Sequence, residues 1–176
     1  MQHVFIRPVM VTALAIAVSD WDRECHTMSC RVTYPPAPAA APVLRDSIDS
    51  NFHIRASATG LITAGTFALA LDRQCRVNDF DFYTNPGHWT IASLTPAEGA
   101  SAVLFLEADF DENGRAKGEA EPAAIYDPEH ARLCLSWGLA NSWYRIAPTL
   151  ALGLSADGRL MQIRLDDFLV PAKDLV

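Results

Sequence analysis

Cys25-His26 and Cys30 bring two thiols and an imidazole into one short stretch, the kind of soft donor set a zinc ion takes. A closed structural site needs four ligands, so Cys75, Cys134, His53 or His130 would have to converge on this trio through the fold. No second cluster of comparable spacing supplies them, so no metal is assigned and small buried thiols are expected. Asp109-x-Asp111-x-Asn113-Gly114 has the alternating oxygens and sharp-turn glycine that open a calcium loop. The twelfth position, where that loop needs a bidentate glutamate, is Ala120, and the surroundings alternate as strands. A solvated hairpin turn is the expectation.

Nucleophilic and acid–base chemistry has equally little to stand on. His130 follows Asp127 and Glu129, and a carboxylate could hold it as it holds a general base. An exposed turn before the strand Arg132–Leu135 explains the same residues. His130, His88 and Cys25 are the nominal set for an enzyme whose residues converge from separate loops. No Gly-x-Ser-x-Gly elbow, Cys-His signature or phosphate-binding loop is present, so no catalytic residue and no cofactor is assigned. The paired acids Asp79 and Asp81, and Asp166 and Asp167, read as solvent-facing strand or strand-end positions.

The aromatic residues with polar tips are a better lead. Trp137, Trp143 and Tyr144 share one connection, and His88-Trp89 follows the Asn85-Pro86-Gly87 turn. Such side chains bury much area at low entropic cost, which suits interfaces and cores alike. A binding surface is therefore assigned to Trp89, Trp137, Trp143, Tyr144 and His88, with core packing as the competing explanation.

These residues must be held by a body that composition already bounds. The chain has 176 residues, half of them hydrophobic, enough for one domain or two small lobes around a common core. Its net charge of −7 and scattered basic residues lack the clustered Lys and Arg of a nucleic-acid surface. Only Lys117 and Lys173 are lysines, whereas arginine, alanine and proline abound, which suggests a GC-rich bacterial or phage genome. Pro8 to Ser19 is apolar and follows Arg7, as in a signal peptide, but is shorter than the ~20 residues that cross a bilayer. Residues 3–19 are expected to form one or two strands, with Pro8 at an edge or break. A cytoplasmic location is expected, with a secreted or periplasmic one as the alternative. The four cysteines are expected to be free thiols.

The architecture is the most legible part. Residues 66–77 line up without a gap on 149–160, continuing as Phe80 on Ile163 and Phe82 on Leu165. Both copies read as strand, polar turn and strand. A third hairpin is expected at Ala102–Glu121, because Asp111-Glu112-Asn113-Gly114-Arg115 parallels Ser155-Ala156-Asp157-Gly158-Arg159. Ala17–Ser29 lines up more weakly on Ala124–Ser136. Further strands are expected at Ser29–Tyr34, Phe52–Ala58 and His88–Ser93, with a single helical turn at Thr95–Glu98. Pro35–Pro42 is expected to be an extended linker and Arg45–Ser50 a polar bridge.

Ile125-Tyr126-Asp127-Pro128-Glu129, Ile146-Ala147-Pro148 and Ala156-Asp157-Gly158-Arg159-Leu160 resemble the bacterial domain-of-unknown-function 2283 family. The likeness covers residues 123–168. It departs from the family at Ser155, usually acidic, and in the Trp137–Trp143 stretch. The resemblance implies a compact β-rich fold and no particular activity.

The expectation is thus a mainly β, antiparallel protein, residues 1–176 forming one compact domain. Internal duplication would relate units 12–83 and 120–170, joined by a hairpin within 88–120. Its expected role is a non-catalytic interaction or binding module with protein partners, self-associating through open sheet edges, with no nucleic acid and no membrane span.

Overall fold

The computed structural model describes residues 4–36, 60–118 and 120–175. The chain is mainly β, with no α-helix among the described residues. Fourteen strands form: β1 (Phe5–Met10), β2 (Ile16–Asp22), β3 (Thr27–Thr33), β4 (Gly60–Ala64), β5 (Phe67–Leu71), β6 (Val77–Tyr83) and β7 (Thr90–Ile91), then β8 (Ala100–Glu107), β9 (Arg115–Lys117), β10 (Ala123–Asp127), β11 (Arg132–Ser136), β12 (Ser142–Ala147), β13 (Leu150–Leu154) and β14 (Leu160–Leu165). They make an eight-stranded sheet, β1-β8-β12-β13-β14-β11-β10-β7, and a six-stranded sheet, β2-β3-β6-β5-β4-β9.

Alternation explains which faces meet. Met28, Cys30 and Val32 of β3, Phe67, Leu69 and Leu71 of β5, and Phe80 and Phe82 of β6 turn inward from the smaller sheet. Leu104, Leu133, Leu135, Leu152, Ile163 and Leu165 come from the larger one, and all belong to one continuous apolar cluster. Trp89 joins the sheets edge-on, with its ring 5.5 Å from that of Trp21 on β2 and 5.7 Å from that of Tyr126 on β10.

The turns are as local as their sequences suggest. In Asp72–Arg76, Asp111–Arg115 and Ser155–Arg159 the first side chain accepts the fifth residue's amide, at 3.0, 2.8 and 2.9 Å. The fourth residue is left-handed each time: Cys75, Gly114 and Gly158, with φ of 59°, 70° and 82°. A one-residue register shift follows at the last residue of β5 and of β13, so the 66–77 and 149–160 hairpins share turn and bulge alike.

The likeness extends beyond the hairpins. β2-β3-β6-β5-β4-β9 and β10-β11-β14-β13-β12-β8 run in the same order, each with antiparallel neighbours up to a final parallel pair. Ser29 sits opposite Asp81 as Cys134 sits opposite Arg164, so the β2–β3 turn matches the β10–β11 turn with Asp22 on Asp127. The sequence alignment had put Asp20 there, two places away, because alternating strands match equally well after any even shift.

Several expectations need correction. Both sheets are mixed, with parallel pairs β7·β10, β8·β12 and β4·β9. The hairpin expected at Ala102–Glu121 keeps its turn but not its strands. β8 pairs with β1 along Ala102–Glu107, whereas the short β9 joins β4 in the other sheet. The longer ladder satisfies more backbone and buries Leu104 and Leu106, so the non-local partner wins. Thr95–Glu98 is not helical, since arginine side chains occupy carbonyls that a helical turn would use. The strand expected over His88–Ser93 shrinks to Thr90–Ile91 after a 3₁₀ turn at Pro86–His88. Pro8 lies in edge strand β1, where a missing donor is tolerated. Phe52–Ala58, Arg45–Ser50 and the linker beyond Pro36 lie outside the described residues.

Candidate functional site

The outer face of the larger sheet carries arginines at positions where buried strands usually hold apolar side chains. Arg132 on β11, Arg164 on β14 and Arg145 on β12 point away from the core, with Cys134, Arg164, Ala151 and Arg145 in one cross-strand row. A strap made of residues 92–99 crosses them. Arg132 Nη1 donates to the Leu94 carbonyl at 2.7 Å, Arg164 Nη1 to that of Thr95, and Arg145 Nη2 to that of Ala97 at 2.7 Å. Asp166 sits between two of them, 3.3 Å from Arg132 and 3.8 Å from Arg145. The Arg164 guanidinium also lies 5.2 Å from the Trp143 ring centre.

The strap is fixed at its start as well. Asp127, 2 % exposed, accepts the Leu94 amide at 2.9 Å on the same oxygen that meets His130 Nδ1 at 2.9 Å. Its other oxygen accepts the amides of Glu129 and His130. The Leu94 amide above all, and then His130, hold this carboxyl down at about 2. Just upstream, β7 runs parallel to β10 and closes that sheet edge. A single stretch of chain thus covers both an edge and a face of the larger sheet.

The smaller sheet has no such cover among the described residues. Among the described residues edge strand β2 pairs with β3 alone, and its outward Ile16 and Val18 are each 66 % exposed. The outer face holds a groove of about 500 Å³ lined by Val18, Asp20, Ser29, Arg31, Asp79 and Asp81. Ala68 and Ala70 of β5 give this face a low floor. Burial and neighbouring Asp79 push the Asp81 carboxyl up, against an opposing pull from Arg31. In the shared strand order Asp81 occupies the place of Arg164, so the central charge is inverted.

A second hollow, about 580 Å³, is lined by Met10, Val11, Tyr34 and Arg76 and opens beside Pro36. Its lining is mostly apolar, with Thr12, Tyr34 and Arg76 as the polar residues and the Arg76 guanidinium stacked 4.1 Å from the Tyr34 ring centre.

The aromatic residues singled out by sequence lie apart. Trp89 is 7 % exposed and donates Nε1 to Thr84 Oγ1 at 2.9 Å. Trp137 packs 5.1 Å from Phe67 and donates to the Ala120 carbonyl. Trp143 covers Gly153 beneath the strap, and Tyr144 packs against the core from β12. Only His88 is exposed.

The nominal chemical groups are also scattered. Cys25, His88 and His130 sit on three separate turns, with no hydrogen bond joining any two of them among the described residues. All four cysteines are free thiols, Cys25 and Cys75 exposed, Cys30 and Cys134 buried. No metal-binding group of histidine, cysteine and carboxylate side chains occurs among the described residues. Asp111 closes its own turn, accepting the amides of Asn113 and Arg115. No helix among the described residues is long and apolar enough to cross a membrane.

Comparison with known proteins finds no family model and no curated protein that matches this chain.

Sequence reasoning missed the arginine row. Its one legible signal was Arg164 between Ile163 and Leu165, a charge inside an apolar strand aligned on Asp81 of the other hairpin.

Proposed function

We propose that the protein is a non-catalytic binding module whose recognition surface is the outer face and free β2 edge of the smaller sheet. One observation carries this: two sheets share a strand order, yet one is wrapped at edge and face by the chain's own strap, and among the described residues no such strap crosses the other. An open edge with exposed apolar side chains is a template for adding a strand, which is how many modules take extended partners. The scatter of Cys25, His88 and His130 over separate turns fits a module better than an enzyme.

Tagged protein and a Val18→Lys, Asp81→Ala variant, both confirmed as folded, are used to recover partners from cells of the source. A set of proteins retained by the parent and lost by the variant supports the reading. Equal recovery by parent and variant, or the same loss by a control changed at Glu98 and Glu129, overturns it.

A further inference from the structure

The strap on the larger sheet shows how this architecture holds an extended segment. Guanidinium groups on the face grip successive carbonyls, a carboxylate at the sheet margin grips one amide, and a short parallel strand closes the edge. The smaller sheet offers the same path with different chemistry. Asp81 stands where Arg164 does, and Asp79 where Gln162 does. Asp20 adds a third carboxylate opposite Ser29, and among the described residues Arg31 is the one cation lining the groove. Arg115 and Lys117 lie on β9 at the far margin, confining the acidic part of the face to β2, β3 and β6. A surface that grips carbonyls has become one that takes donors.

Resting on the binding-module reading, we propose that the occupant is an extended segment of a partner protein carrying arginine or lysine side chains. It lies alongside β2 and crosses the face with its cations over Asp20, Asp79 and Asp81. Three observations support this occupant. Among the described residues the groove has three carboxylates against one guanidinium, a charge that complements a basic segment. Apart from the Ala17 carbonyl, which accepts Thr149 Oγ1, the outer edge of β2 has no strand beside it among the described residues and supplies backbone groups for one to pair with. Ile16 and Val18 supply an apolar margin for the alternate side chains of that strand. Charge-assisted hydrogen bonds from guanidinium to carboxylate are the strong ones, and the partly desolvated Asp81 is where they gain most.

The test uses a random ten-residue peptide library displayed on phage, panned against the full chain and against an Asp79→Asn, Asp81→Asn variant. Both changes keep side-chain size at outward positions, and thermal melting checks that the variant is folded. Enriched peptides should carry at least two Arg or Lys residues. As synthetic peptides they should bind the parent at least tenfold tighter than the variant, weaken with salt, and shift the amide resonances of Ile16–Asp22. No enrichment, enrichment of neutral or acidic sequences, or equal binding to both proteins overturns the proposal. Two results on the isolated chain would also overturn it: slow exchange of the β2 amides that point away from β3, which means the edge is already covered, and a dimer that protects them, which gives the edge to a second copy. Loss of cellular partners on Val18→Lys, Asp81→Ala without any preference for cations would leave the module reading standing and refute only the basic segment.

Discussion

Arg164 and Asp81 hold corresponding places on the two sheets: Arg164 lies between Cys134 and Ala151, and Asp81 between Ser29 and Ala68. The guanidinium is 7 % exposed and holds the strap through Thr95, whereas the carboxylate is open to solvent. One position thus serves internal cohesion on one sheet and an outward surface on the other.

Arg164→Met should loosen the strap without emptying the space beneath it. Losing the charged donor to the Thr95 carbonyl costs about 2 kcal/mol, and the stacking over Trp143 goes with it. The expected result is a lower urea midpoint with faster amide exchange confined to residues 92–99. An unchanged exchange pattern would show that Arg132, Arg145 and Asp127 hold the strap without Arg164.

The Asp127 anchor gives this attachment a pH dependence whose sign is fixed. Its carboxyl titrates at about 2 in the folded chain, below the ordinary carboxylate value. The anchor's contribution is therefore fully present above that ordinary value and is lost as pH falls through about 2. The stability gap between the parent and Asp127→Ala should be wide at pH 5 and should narrow towards pH 2. Urea titrations at intervals between these values measure it; a gap that widens on acidification would contradict the assignment.

Much of this was legible in sequence. The turns at 72–76, 111–115 and 155–159, the free thiols and the inward alternation of β3, β5 and β14 follow from local chemistry that a few residues contain. The parallel pairs were not legible, because nothing within Ala100–Glu107 says that β1 and β12 will flank it. Nor was the strap: Arg132, Arg145 and Arg164 are far apart in sequence, and their common target is backbone, which leaves no side-chain signature. The tryptophans drew attention for their size, yet Trp89 and Trp137 spend that size joining the two sheets.

The left-handed turn positions give a simple stability test. Cys75 has φ of 59° where the sister turns use glycine, a conformation that costs a residue with a Cβ about 1 kcal/mol. Cys75→Gly should raise stability or leave it unchanged, whereas Gly158→Ala should lower it by about 1 kcal/mol. Equilibrium urea unfolding of both variants decides, and a gain for Gly158→Ala would refute the shared geometry.

Thiol labelling should separate the cysteines into two pairs. Burial pushes Cys30 up to about 12 and also raises Cys134, so both should resist alkylation in the native state. Cys25 and Cys75 should react, with Cys25 the slower because the Asp22 carboxylate disfavours its thiolate. Timed alkylation followed by peptide mass analysis reads all four sites at once.

Gly99 tests the parallel join of β8 to β12. A Cβ there would land on the Trp143 carbonyl, which is backbone and cannot rotate aside. Gly99→Ala should destabilise by about 1–3 kcal/mol, the usual range for overpacking, and should disturb Trp143 fluorescence.

The pairing of β1 with β8 has a consequence for biosynthesis. In order of synthesis β1 finds its hydrogen-bonding neighbour only when Ala102–Glu107 has emerged, and β4, already paired with β5, gains its second neighbour only with Arg115–Lys117. Neither half can therefore finish its sheet while the nascent chain is short. The larger sheet is thus closed by a pairing of long sequence separation, the kind of contact that slows folding.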